Sequence, residues 1–351
     1  MKNLFDFATS ELSQDAFLCW LFENYNCENA VVKKASLELL RKMTGFENLQ
    51  IDPKSELKTE RQVEHTDVIV IFYLKGEKHI LLIEDKTCSG VRHYQIHKYP
   101  ERIASKYGVP KERIHCAIYK TDLKDQDEIE ETKKEKDYTW NMLYLHDIDC
   151  FFSNYNDSNC LIFDQYREHI AEQTKRLKEK NVIKMEDWKN HGGKLLFRDY
   201  IKTDLFPLVE KRTDNLLDAP KMLGWHSYPS LFLWRNQKID KLRLTMEISF
   251  HPTWDRAILS IRCSGDHVEV PKDFKYQLRN ELTAKHPFFR GFCGKGSCIA
   301  HGKLYYNIGI TKMTEEIEIR INEFAEISAM ATQIISNNSE WETLFLSTDN
   351  A

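Results

Sequence analysis

The chain has 351 residues, of which 42% are hydrophobic, and a net charge of −4. That length is enough for one large domain or two, and no stretch approaches the roughly 20 apolar residues that span a bilayer. The mild acidity excludes a global pull toward nucleic acid but leaves room for a local basic groove. The start, "MKNLFDFATSELSQD", has no apolar run of the secretory kind. Nine cysteines are scattered along the chain, a pattern that suits free buried thiols in a cytoplasmic protein.

In chain order, 11–24 and 29–44 carry apolar residues at helical spacing, and Gly45 stops the second run. Residues 56–65 read as a polar edge strand. The apolar runs 67–74 and 79–86 flank "KGEK" and read as a β-hairpin. A helix is expected over 91–107, and strands over 113–121 and 139–146. The intervening charged run 122–137 reads as a solvated loop or helix. A long amphipathic helix is expected over 159–183, with a boundary near 185. Beyond it, 242–250, 257–263 and 304–310 read as strands of a second sheet, and 271–285 and 314–336 as its helices. The expected division is therefore 1–185 and 186–351.

The hairpin carries the chemistry. The chain holds seven Asp/Glu-x-Lys triplets, but only the one at Glu84 ends an apolar strand whose partner begins with an acid, Asp67. Side chains alternate along a strand, so Glu84 and Lys86 share a face and Asp85 points to the other. A turn at Gly76-Glu77 makes opposed residue numbers sum to about 153, which sets Asp67 across from Lys86 on that same face. Two carboxylates and an ammonium converge. Hard divalent ions take oxygen ligands, often with only one or two carboxylates. The plain alternative is an ion pair at a strand end.

Asp67 followed by Glu84-Asp85-Lys86 resembles the signature of the PD-(D/E)XK nuclease superfamily, with Thr66 in the place of proline. Gln95 and Tyr99 resemble the Q-x-x-x-Y element of its RecB-like and Cas4-like branch, and Pro100 threatens to kink that helix and turn Tyr99 away. The stretch 8–22 resembles the first helix of a family of bacterial PD-(D/E)XK proteins. The resemblance implies an α/β fold with a restriction-endonuclease-like mixed sheet flanked by helices, to which the sequence adds a C-terminal α+β accessory domain. It implies Mg²⁺ or Mn²⁺ held by Asp67, Glu84 and the main-chain carbonyl of Asp85. Lys86 would assist the attacking water. Glu11, with Asp15 as second choice, would support the metal, and Gln95 and Tyr99 would steer substrate.

Other signals are weaker. Glu60 and Glu64 are in reach of the site or are edge-strand charges. His93 and His97 sit at i, i+4 but on another face from Gln95. Cys293, Cys298 and His301, with Cys263 or His286, have loosely zinc-like spacing in a glycine-rich loop. Arg92, Lys98, Arg102, Lys106, Lys111 and Arg113 form a candidate phosphate-tracking rim. The expectation is a metal-dependent nuclease acting on DNA in preference to RNA, in bacterial defence or genome maintenance. A homodimer or protein partner would bind through the C-terminal domain. The rival expectation is a catalytically silent nuclease-like binding module.

Overall fold

Two tight turns set the geometry of the first sheet. Glu64-His65 and Lys75-Gly76 have positive φ at both positions, 51° and 70° in the first and 53° and 80° in the second. This is the two-residue turn whose twist matches paired antiparallel strands. The computed structural model describes residues 2–8, 11–46, 49–52, 56–87, 93–135, 137–190, 193–210, 221–223, 230–235, 241–251, 255–265, 268–291 and 297–345.

These residues form two units, Met1–Lys178 and Glu179–Ala351. In the first, α1 (Glu11–Glu23) and α2 (Ala30–Thr44) precede β1 (Lys58–Val63), β2 (Thr66–Leu74) and β3 (Glu77–Lys86). Then follow α3 (His93–Tyr107), β4 (Ile114–Lys120), α4 (Gln126–Lys133), β5 (Trp140–Tyr144), α5 (Leu145–Phe152) and α6 (Leu161–Lys178). The sheet runs β1-β2-β3-β4-β5. The two hairpins make its first half antiparallel, and the crossovers through α3 and α4 make its second half parallel. This is the mixed, helix-flanked α/β sheet that the sequence predicts.

The hairpin turn lies at Lys75-Gly76, one residue before the expected place. Asp52 fixes it, its two carboxylate oxygens accepting from Lys75 N at 2.9 Å and Gly76 N at 2.7 Å. Partner numbers therefore sum to 151 instead of 153, from Leu74↔Glu77 to Val68↔Ile83. One step further along this register, Asp67 faces Glu84, and Lys86 lies diagonally. A change of two in the sum keeps every side chain on its face, whereas a change of one would have reversed them all.

The two faces are covered differently. On one, Ile69, Ile71, Ile80, Leu82, Cys116 and Ile118 pack against Tyr99 and Ile103 of α3. On the other lie Val68, Val70, Leu81 and Ile83, all fully buried, together with the side chain of Asp85. Gln14 of α1 bonds Asp85 there. Pro100 lies inside α3 without ending it.

The expected strand over 139–146 stops at Tyr144. The Asp147 carboxylate accepts from Tyr144 N at 3.1 Å and starts α5 instead. The charged run 122–137 contains α4.

The second unit contains α7 (Gly193–Tyr200), a π-helical turn (Ile201–Leu205) and α8 (Phe206–Glu210), then β6 (Lys221–Leu223), β7 (Ser230–Arg235), β8 (Leu242–Phe250) and β9 (Arg256–Gly265). After these come α9 (Lys272–Lys285), β10 (Cys298–Tyr305), α10 (Gly309–Ser336) and α11 (Ser339–Phe345). Its five strands form an antiparallel sheet ordered β10-β9-β8-β7-β6. The expected strand over 304–310 is corrected: β10 ends at Tyr305, and Gly309, at φ 80°, begins α10. Among the described residues no helix is long and apolar enough to cross a membrane.

Candidate active site

β2 and β3 deliver acids because each apolar strand ends in charge. Thr66-Asp67 opens β2, and Glu84-Asp85-Lys86 closes β3. The Lys86 ammonium sits among three oxygens. It lies 2.6 Å from Glu84 Oε1, and it donates to the Asp85 main-chain oxygen at 2.8 Å and to Asp67 Oδ2 at 2.9 Å. Asp67 Oδ2 also accepts from Asp85 N at 2.9 Å. Glu84 is fully buried, and the Asp67 side chain is 16% exposed. Gln95, from the first turn of α3, donates to Glu84 Oε1.

Burial raises the Glu84 carboxyl to about 8, although the Lys86 ammonium beside it pulls the other way. Burial alone would depress Lys86, but Glu84 and Asp67 overcome it and hold the ammonium above its ordinary value. The arrangement is a buried cation cradle made of two carboxylates and a carbonyl.

α1 grips the end of β3 from the other side. Glu11, Gln14 and Asp15 share a helix face by their i, i+3, i+4 spacing. Glu11 Oε1 accepts from Thr87 N at 3.1 Å. Gln14 donates its amide to Asp85 Oδ1 and accepts from the Tyr166 hydroxyl of α6 at 3.4 Å. Asp15, 1% exposed, forms a carboxyl pair with Asp85, itself 0% exposed. Burial raises both pKa values, that of Asp15 to about 6. Burial and each other's charge both oppose ionisation of this pair.

The donor set suits a divalent ion on two observations. Its three oxygens already surround a cation, the ammonium of Lys86. Glu84 Oε2, moreover, is buried with no hydrogen-bond partner. Among the described residues no group of three or more His, Cys, Asp or Glu side chains is arranged to hold a metal. Any ion at this site would thus rely on two carboxylates and a carbonyl, in the manner of Mg²⁺. Glu11 is not a third carboxylate in that set.

The other expected residues are placed as follows. Tyr99 is 3% exposed in the apolar cluster under α3, away from open solvent. Glu60 accepts from the Tyr107 hydroxyl at 2.7 Å, and Glu64 pairs with Lys106 at 3.6 Å, so neither joins the three-oxygen cluster. Lys111 and Arg113 are corrected as site neighbours. They precede β4, which runs parallel to β3, and Arg113 pairs with Glu77 at the opposite end of β3. Nine residue-to-residue steps of strand lead from Glu77 to Lys86, about 30 Å. His97 contacts Glu135. Arg92, Cys293 and the side chain of His93 lie outside the described residues, and the zinc grouping is not supported among those described.

Sequence reasoning missed Lys120. It ends β4 as Lys86 ends β3, and the two are register partners on one face. Fully buried, it donates to both Glu128 oxygens, at 2.7 and 2.8 Å. The available signal was an apolar strand closing on lysine for a second time.

Comparison with known proteins decides the family. A model described as the PD-(D/E)XK nuclease superfamily matches residues 2–202, more than half of the chain. The chain belongs to the PD-(D/E)XK nuclease superfamily. The match spans every residue of the cradle and of the α1 grip. No curated protein and no solved structure gives a significant match.

Proposed function

We propose that this PD-(D/E)XK protein is a metal-dependent nuclease that hydrolyses phosphodiester bonds, in DNA in preference to RNA. The observation that carries the reading is the convergence of Asp67 Oδ2, Glu84 Oε1 and the Asp85 carbonyl on one cationic point, within 2.6 to 2.9 Å. In this reading Asp67, Glu84 and the Asp85 carbonyl hold Mg²⁺ or Mn²⁺. A divalent ion held there supplies Lewis acidity toward a phosphoryl oxygen and acidifies bound water.

The chain's own residues do the rest. Lys86 keeps its ammonium beside the carboxylates, where it orients the attacking water and offsets charge building on the phosphoryl oxygens. Gln95 fixes the Glu84 carboxyl and, as in the RecB-like and Cas4-like branch it resembles, faces substrate. Glu11 pins the chain after β3 through Thr87. Tyr99, buried, seats α3 so that Gln95 stays in place. Residues 186–351 are assigned an accessory role in specificity or partner binding, and the setting is bacterial defence or genome maintenance by analogy.

The test is cleavage of plasmid, single-stranded DNA and RNA with Mg²⁺ or Mn²⁺, beside Lys86→Ala and Asp67→Asn. The expected result is cleavage by the wild type, reduced by roughly 10² or more in each variant. Equal inertness of all three proteins on every substrate, with binding retained, would instead favour the silent binding module.

A further inference from the structure

Asp85 belongs to two environments at once. Its main chain serves the candidate site, where the N–H donates to Asp67 at 2.9 Å and the C=O accepts from Lys86 at 2.8 Å. Its side chain projects through the sheet to the opposite face and is fully buried there. Burying a carboxyl in that position is costly unless its partners compensate. The partners are Gln14, whose amide bonds Oδ1, and Asp15, whose carboxyl pairs with it. No hydrogen-bond donor reaches either Asp15 oxygen or Asp85 Oδ2, so the Gln14 amide is the donor that holds the Asp85 carboxyl. Behind them the Tyr166 hydroxyl reaches Gln14 and lies 2.9 Å from the Tyr119 hydroxyl. The cluster joins α1, α6, β3 and β4 on the face away from Glu84 and Lys86.

We propose that Asp15 and Gln14 are positioning residues that act through the Asp85 side chain. By gripping that side chain from the reverse face, they fix the peptide whose N–H and C=O are presented to Asp67 and Lys86. Anchoring the carboxyl on one face holds the Asp85 Cα–Cβ bond in place, so a tilt of the residue that re-aims its carbonyl on the site face must also strain the reverse-face bonds. Glu11 accepts from Thr87 N at 3.1 Å, so one helix face holds β3 at its last strand residues and just beyond. The proposal rests on the nuclease reading only in what the aimed carbonyl is for.

The test compares Asp15→Ala with Asp15→Asn in the full chain. The asparagine amide can donate to the Asp85 carboxylate and restore the pairing, whereas alanine cannot. Two readouts are taken: amide hydrogen exchange at Asp85 and Thr87, and the Mn²⁺ dissociation constant by calorimetry. In Asp15→Ala, exchange is expected to accelerate at least about tenfold and Mn²⁺ binding to weaken about tenfold, the scale of one lost buried hydrogen bond. Asp15→Asn should stay within about threefold of wild type on both. If Asp15→Ala does not fold, Gln14→Leu takes its place, with the same expectation for exchange. Unchanged exchange in the alanine or leucine variant, or an asparagine variant as impaired as alanine, overturns the proposal. Wild-type protein that binds no Mn²⁺ defeats the nuclease reading instead, and the exchange comparison still decides whether the grip exists.

Discussion

Lys86 and a divalent ion compete for the same oxygens. The ammonium already bonds the three atoms assigned to the metal, so loading an ion requires Lys86 to move off at least part of that cradle. Lys86→Met is therefore expected to bind Mn²⁺ about tenfold tighter than wild type, the equivalent of about 1.4 kcal/mol of removed competition, while losing cleavage. Calorimetry beside turnover checks this, and weaker binding in the variant contradicts it. Glu84 adds a pH signature. Its folded pKa of about 8 lies above the ordinary value of 4.5. Protonation of Glu84 thus favours folding. That contribution is complete below about 4.5 and disappears as pH rises through about 8. Metal binding needs the ionised form, so it runs the other way. Mn²⁺ affinity should climb between about pH 6 and 8 and level off above. Glu84→Gln should flatten the melting temperature of the metal-free protein between about pH 4.5 and 8.

At the scale of elements, buried charge at strand ends holds the parallel half of the sheet to its helices. Lys120 and Glu128 tie β4 to α4 with two contacts of 2.7 and 2.8 Å. Removing one partner leaves a buried charge unpaired, so Lys120→Met should cost about 3 kcal/mol. The double variant Lys120→Met with Glu128→Leu should cost distinctly less, as read from denaturant melts. A double variant as unstable as the single would show that the pair does not act as a unit. The apolar strands and their charged ends were legible in the sequence, and so was the face shared by Asp67, Glu84 and Lys86. The register was legible only to its parity. "KGEK" accommodates a turn at either of two positions, and Asp52, which selects Lys75-Gly76, is more than twenty residues upstream. The burial of Tyr99 was hidden because Pro100 argues for a break, and only the apolar cluster around Tyr99 and Ile103 shows why α3 continues. Strand-like composition at 304–310 misled because the left-handed Gly309 turns the chain into α10.

For the whole molecule, a net charge of −4 makes general attraction to nucleic acid weak, so substrate affinity must come from local cations. The exposed Lys98 and Arg102 of α3, the helix that also carries Gln95, suit that task. Charge reversal at both should weaken DNA binding and flatten the slope of log K against log salt by about 2 for duplex DNA. An unchanged slope would move the substrate path elsewhere. Each unit has its own five-stranded sheet, and the charged cradle belongs wholly to the first. Whether this cradle holds a metal ion is decided by anomalous scattering from crystals soaked in Mn²⁺. One peak is expected in contact with the Asp67 and Glu84 carboxylates and the Asp85 carbonyl, with the Lys86 ammonium displaced from its present place. An unchanged Lys86 at full Mn²⁺ occupancy elsewhere, or no peak at all, would contradict it.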